Sequence, residues 1–168
     1  MHTIPTLETP RLRLRAFRAD DFNAIADFFG DPVSAPYGGP CNRDEAWRKL
    51  AAYCGHWSLR GYGPWAVGCR ATDRCLGVCG LWYPEGWFAP EITWALVPGE
   101  HGKGYATEAA SRALTAAYEH FGWTTAVSVV AQGNAASEAV ARRLGATAEQ
   151  TIVFRGGSAT VFRHRAPA

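Results

Sequence analysis

Gly102, Lys103 and Gly104 form the first group of residues whose types and spacing suggest chemistry. They sit inside PGEHGKGYATEA, Pro98 to Ala109, directly ahead of an alanine-rich segment. Glycines let backbone N–H groups come close to a ligand. A helix N-terminus adds unpaired N–H groups and a partial positive charge. Together they select an anion, most often a phosphate. Two phosphate-loop patterns fail here. The P-loop needs a glycine five residues before Gly102, where Val97 stands, and Ser or Thr after the lysine, where Gly104 stands. The dinucleotide fingerprint needs Gly or Ala where Thr107 stands, and it opens on a first strand rather than late in the chain. A dinucleotide-dependent oxidoreductase is therefore disfavoured. On the loop alone, a glycine turn without a ligand competes with a phosphate site.

The elements that must position this loop follow from periodicity. RLRLRAF (Arg11 to Phe17) alternates as a half-buried strand. Phe22, Ile25, Ala26, Phe28 and Phe29 are spaced as a helix closed by Gly30 and Pro32. Asn42 with Glu45 three residues on predicts a capping box, opening a second helix that ends at Gly61. PWAVGCR and CLGVCGLWY are strands joined by ATDR, a hairpin. EITWALV is a further strand. From Gly104 to about Phe121 runs the longest helix, its apolar face carrying Ala106, Ala109, Ala110, Ala113, Leu114, Ala117 and Phe121. TAVSVV is a short strand, NAASEAVARRLG a capped helix stopped by Gly145, and TIVFRGGSATVFRHR a closing hairpin. This order predicts one α+β (mixed α/β) domain over residues 1–168.

Composition narrows the function. The chain has 168 residues, 48% hydrophobic, with 17 Lys+Arg against 15 Asp+Glu. That suits one domain with a real core. The absence of a basic run argues against nucleic acid. No apolar stretch is long enough to span a membrane. The opening residues lack a signal-peptide pattern, so a cytoplasmic protein is expected. Cys41, Cys54, Cys69, Cys75 and Cys79 are odd in number and contain no CxxC pair, which indicates neither a disulfide framework nor a metal site. Cys69 and Cys75 could face each other across the hairpin, but reduced thiols are the expectation. Cys79, in an apolar strand, reads as a buried inert thiol. The histidines at 56, 101, 120 and 164 are scattered, and no Gly-x-Ser-x-Gly elbow occurs.

Taken in order, strand EITWALVP, the glycine loop, the long helix, strand TAVSVV and QGNAASEAVARRLGA resemble the GNAT superfamily of acetyl-CoA-dependent N-acetyltransferases. The family signature Gln/Arg-x-x-Gly-x-Gly/Ala reads here His101-Gly102-Lys103-Gly104-Tyr105-Ala106, with histidine in place of Gln/Arg. Its second segment reads Asn134, Ser137 and Arg143-Leu144-Gly145, followed by Ala146 where Phe is frequent. LETPRLRLRAFRADD and GKGYATEA look most like the branch that includes ribosomal-protein alanine acetyltransferases. The resemblance covers nearly the whole chain. It implies a GNAT fold: a mostly antiparallel sheet with a splayed parallel strand pair, flanked by about four helices.

It also implies roles. The anion becomes the pyrophosphate of coenzyme A, held by backbone N–H groups of Gly102 to Ala106, with Lys103 either adding charge or merely solvated. Trp94, Ala95 and Leu96 would offer the strand edge to the pantetheine arm. Asn134 would cap its helix, and Arg143 completes the second segment. Glu91, at the strand start where relatives carry a carboxylate base, would take the amine proton, directly or through water; the alternative is a solvent-facing edge glutamate. Ser137 would donate to the leaving thiolate, because no tyrosine lies between Ala135 and the C-terminus. Glu108 reads as a dipole-complementing carboxylate, and Tyr105 and Thr107 as packing or capping. Tyr37, Tyr83, Trp87 and Phe88, in aromatic Pro/Gly loops, are candidates to line an acceptor pocket; packing or a homodimer contact is their other reading. The expected reaction is acetyl transfer from acetyl-CoA to a primary amine, a protein N-terminus or small molecule, by direct attack in a ternary complex and without metal. The alternative is a non-catalytic acyl-CoA-binding sensor, which need not carry Glu91 and Ser137.

Overall fold

Residues 3–166 are described by a computed structural model. Strands β1 (Leu7–Glu8) and β2 (Leu12–Arg15) lead to helices α1 (Phe22–Gly30) and α2 (Arg43–Arg60). The hairpin of β3 (Pro64–Cys69) and β4 (Cys75–Trp82) and strand β5 (Glu91–Leu96) follow. Then come α3 (Tyr105–Glu119), β6 (Val127–Ala131), α4 (Ala135–Arg143), β7 (Thr147–Phe154) and β8 (Gly157–Arg163). The expected element order holds. Three short pieces carried no periodic signal: β1 and the 3-10 turns Ala19–Asp21 and Pro32–Tyr37. Each is too short to show a period.

All eight strands form one sheet in the order β1-β2-β3-β4-β5-β6-β8-β7. Every neighbouring pair is antiparallel except β5 and β6. The closing hairpin therefore enters with its second strand inward and leaves β7 at the edge. Helices α1 and α2 cover one face, where Ile25, Phe28, Phe29, Ala46 and Leu50 pack on Ala66, Val78 and Ala95. Helices α3 and α4 cover the other, where Ala109, Ala113, Ala117, Val140 and Ala141 pack on Trp65, Val67, Leu81 and Ile92. The buried stripe of α3 is alanine throughout, which lets its backbone lie close to β4 and β5.

Two caps read from sequence form as expected. Asn42 accepts from the Glu45 N–H while Glu45 accepts from Asn42, and Asn134 accepts from the Ser137 N–H at 3.2 Å. Cys75 lies opposite Gly68 rather than Cys69, and all five cysteines are free thiols.

The parallel pair makes one rung only, Glu91 to Val127, and beyond it β5 and β6 separate. Strand β5 stays paired with β4 along its whole length, from Trp82–Glu91 to Gly77–Leu96. That pairing depends on Gly77. Its φ is +151°, and a Cβ there would strike the Ala95 carbonyl oxygen and stand 2.8 Å from Leu96 Cα. Gly77→Ala should therefore cost roughly 1–3 kcal/mol of stability, read as a lower urea midpoint. An unchanged midpoint would show that β5 moves away from β4 without cost.

Candidate active site

The loop after β5 turns into α3 through Gly102 and Gly104, both at positive φ, with Gly104 at +80° as the residue preceding the first helical turn. None of the backbone N–H groups from Gly102 to Thr107 has a hydrogen-bond partner among the described residues. They border a groove of about 1190 Å³ between α3 and α4. An anion-binding concavity is the arrangement such groups create. The Thr107 hydroxyl, on the same turn, is buried without a partner. The first turn is anchored from outside: Glu108 accepts from the Thr9 hydroxyl at 2.6 Å and from the Arg11 N–H at 2.9 Å, and pairs with the Arg11 guanidinium at 2.7 Å. Its role is to fasten α3 to the N-terminal segment, beyond complementing the dipole.

Lys103 is not in the groove wall. Its ammonium pairs with Glu100 at 3.0 Å, and Arg74 holds the other oxygen of that carboxylate at 2.6 Å. His101 lines the groove and puts its Nε2 2.9 Å from the Leu96 carbonyl. A carbonyl only accepts, so Nε2 carries the proton. Along β5, the Val97 N–H donates to Leu76 on the β4 side, while the Ile92 and Leu96 carbonyls point into the gap. Alternation therefore turns Trp94 to the gap and Ala95 to β4. Of the three expected edge residues, Trp94 is the open rung, Leu96 keeps only its N–H free, and Ala95 is consumed by the sheet.

On the far side of the β5–β6 fork lies a smaller cavity of about 130 Å³. Glu91 is in its wall, 6% exposed, not a solvent-facing glutamate. Its Oε2 accepts from Trp87 Nε1–H at 2.7 Å and its Oε1 from the Val129 N–H at 3.2 Å. Burial raises its pKa from 4.5 to about 7, although both hydrogen bonds and the Arg155 charge favour the carboxylate. The group thus titrates where a general base works best.

Groove and cavity share Pro36, Tyr37, Trp94, Asn134 and Ser137. At this junction the Tyr37 hydroxyl lies 3.3 Å from Ser137 Oγ. Burial raises the Tyr37 pKa, with Ser137 and Asn134 opposing, so the phenol stays protonated at neutral pH. Sequence placed Tyr37 only with the acceptor aromatics; a contact between residues a hundred positions apart has no local signal.

Of the other aromatics, Trp87 lines the cavity, but Tyr83 and Phe88 do not. The Tyr83 N–H donates to His56 Nε2 at 3.0 Å, Arg60 covers its ring, and Phe88 is 48% exposed. The cavity wall instead recruits Tyr53, Trp82, Phe154, Lys49 and Arg155, none of which sits in a motif. Arg143 borders the groove at the end of α4. No group of three or more His, Cys, Asp or Glu that could hold a metal occurs among the described residues. No helix among them is long and apolar enough to cross a membrane.

The model of the acetyltransferase (GNAT) domain matches residues 11–147. An acetyltransferase from Agrobacterium tumefaciens str. C58 is 33% identical, with a TM-score of 0.90 over 97% of this chain and 95% of its own. Two structures share the fold at lower identity. A ribosomal L7/L12 α-N-protein acetyltransferase in complex with coenzyme A is 19% identical, at TM-score 0.79 over 96% of this chain and 98% of that one. The ribosomal-protein-S5-alanine acetyltransferase from Vibrio fischeri is 15% identical, at TM-score 0.71 over 95% of each chain. The chain belongs to the GNAT acetyltransferase family and is an acetyl-CoA-dependent acyltransferase.

Gly104→Val should weaken coenzyme A binding while leaving the far-ultraviolet spectrum intact. A β-branched residue opposes φ +80° and crowds Arg11, whose Nη2 is 3.3 Å from the added Cβ position. Unchanged affinity by calorimetry would place the phosphate site elsewhere.

Proposed function

We propose that this enzyme moves the acetyl group to a primary amine by direct attack in a ternary complex. Glu91 is the base, and Tyr37 with Ser137 is the proton source for the leaving sulfur. The observation that carries this reading is the buried Glu91 carboxylate, its pKa raised by burial to about 7, on the opposite side of the Tyr37–Ser137 junction from the groove. Acetyl-CoA supplies an activated thioester.

The chain's own residues supply the rest. Free N–H groups of Gly102 to Thr107 bind the pyrophosphate. The Trp94 edge takes the pantetheine arm as an added strand. An acceptor entering the smaller cavity meets Glu91, which takes one ammonium proton to its carboxylate or to a water on it. The amine nitrogen bonds to the acetyl carbon as the carbon–sulfur bond breaks. A proton then passes from the Tyr37–Ser137 pair to sulfur, and the pair regains one from the nitrogen side. Per turnover, ammonium and thioester become amide and thiol, and the one proton taken by Glu91 is released. The Trp87 and Val129 N–H groups fix the Glu91 carboxylate in the fork, so the base is aimed before substrate arrives.

Glu91 is protonated below pH 7 and cannot accept. kcat/KM should therefore rise through an apparent pKa near 7, separately from the amine's own higher pKa. Glu91→Gln should remove that limb and lower turnover roughly 10²–10⁴-fold, with coenzyme A affinity retained as a check on folding. Normal turnover between pH 6 and 9 would exclude Glu91 as the base. Tyr37→Phe should cost less, roughly tenfold, because a thiolate with a pKa of about 8.5 is already a fair leaving group. A Tyr37→Phe loss equal to that of Glu91→Gln, measured as coenzyme A release, would contradict the division of roles.

A further inference from the structure

We infer that the acceptor amine carries an anion of its own, a carboxylate or phosphate, and that Lys49 and Arg155 hold it. This rests on the acetyl-transfer reading and names the class of acceptor.

The smaller cavity has one carboxylate, Glu91, and two cations, Lys49 of α2 and Arg155 of the β7–β8 turn. Neither cation is in an ion pair among the described residues. Each lies instead over an aromatic ring, Lys49 Nζ 5.1 Å from the Phe29 centroid and the Arg155 guanidinium 5.0 Å from that of Phe154. The two heads converge. Arg155 Nη1 and Lys49 Nζ stand 2.5 and 3.3 Å from the point a Cβ on Gly38 would occupy, so a residue larger than glycine there would displace them. With no carboxylate in ion-pair contact with either head, the like charges repel, and an anion between them relieves that repulsion.

The turn supports the same conclusion. Phe154 pairs with Gly157, which leaves the two-residue loop Arg155-Gly156 at φ +53° and +76°. Such a turn favours Asn or Asp at its first position, and a long side chain there costs backbone energy. Arginine in that place keeps a guanidinium at the cavity.

The coenzyme does not account for these cations. Lys49 and Arg155 border only the small cavity, and the loop that suits a pyrophosphate borders only the groove. An amine with a second positive group would meet two cations. An amine tethered to an anion puts its nitrogen at Glu91 and its anion between Lys49 and Arg155.

The test is a matched series at neutral pH: ω-amino acids of increasing chain length, n-alkylamines, diamines, and short peptides with Asp or Lys after the first residue. At the fitting length the anionic amine should exceed its uncharged analogue in kcat/KM by roughly 10- to 100-fold. A preference seen with amino acids identifies a small metabolite; one seen only with acidic peptides identifies a protein N-terminus. The double variant Lys49→Glu/Arg155→Asp should reverse the preference toward diamines, an outcome that misfolding does not produce; Asp suits the positive φ. Fluorescence quenching of Trp82 and Trp87 in the coenzyme A-loaded protein reads acceptor binding without chemistry. Anion-dependent quenching with no acetyl transfer would sustain the anion site and defeat the transfer reading. Turnover with diamines at or above the amino acids, or a ratio unmoved by the double variant, would overturn the inference while leaving acetyl transfer intact.

Discussion

The site depends on a failure of strand pairing. Strands β5 and β6 share the single rung Glu91–Val127 and then part. Backbone groups on an opened edge need other partners, and the chain provides several. Ser128 Oγ donates to the Ile92 carbonyl at 2.6 Å, Glu91 accepts from the Val129 N–H, and His101 donates to the Leu96 carbonyl. Only Trp94 is left with both polar groups facing the gap. The fork is thus closed by side chains at both ends and open in the middle, where a linear ligand can add the missing rung.

The same opening sets the chemistry of Glu91. At the apex of the fork it replaces a backbone acceptor, so it cannot be withdrawn to solvent. Burial raises its pKa toward neutrality, and the Trp87 and Val129 donors keep it from rising further. The carboxylate that completes the sheet here is also the one whose burial brings its titration near neutrality. Tyr37 comes to the junction by another route. The 3-10 turn Pro32–Tyr37, whose first N–H groups are capped by Asp31, carries it over the sheet to Ser137 and Asn134.

Local features of this design were legible in the sequence. The Asn42–Glu45 box, the Asn134 cap, the alanine stripe of α3 and the glycine loop are all decided within a few residues, so spacing reveals them. The inward placement of β8, the burial of Glu91 and the Tyr37–Ser137 contact are decided by distant chain and leave no local pattern. The aromatic loop shows the boundary between the two. Tyr83, Trp87 and Phe88 are alike in composition, but the turn closed by the Trp87 N–H on the Pro84 carbonyl sends only Trp87 inward. For Lys103 the sequence left two readings, charge for an anion or a solvated side chain, and the structure adds a third feature with no local signal, an ion pair with Glu100, which Arg74 also holds.

That neutralisation separates the two ends of the site by mechanism. Beside the groove, Lys103 and Arg11 are each held by a carboxylate, Glu100 and Glu108, so the donors the groove itself offers to an anion are backbone N–H groups and the α3 dipole, with Arg143 at the far rim. Fixed donors fit one shape and need no side chain to be ordered when the ligand binds. At the small cavity the Val129 N–H is spent on Glu91, and the charge outside any ion pair among the described residues sits on Lys49 and Arg155. Those two cations are carried on long side chains by a helix and a turn, each over an aromatic ring. The groove thus presents backbone donors and the small cavity side-chain cations, two sets of groups that differ in kind as well as in place.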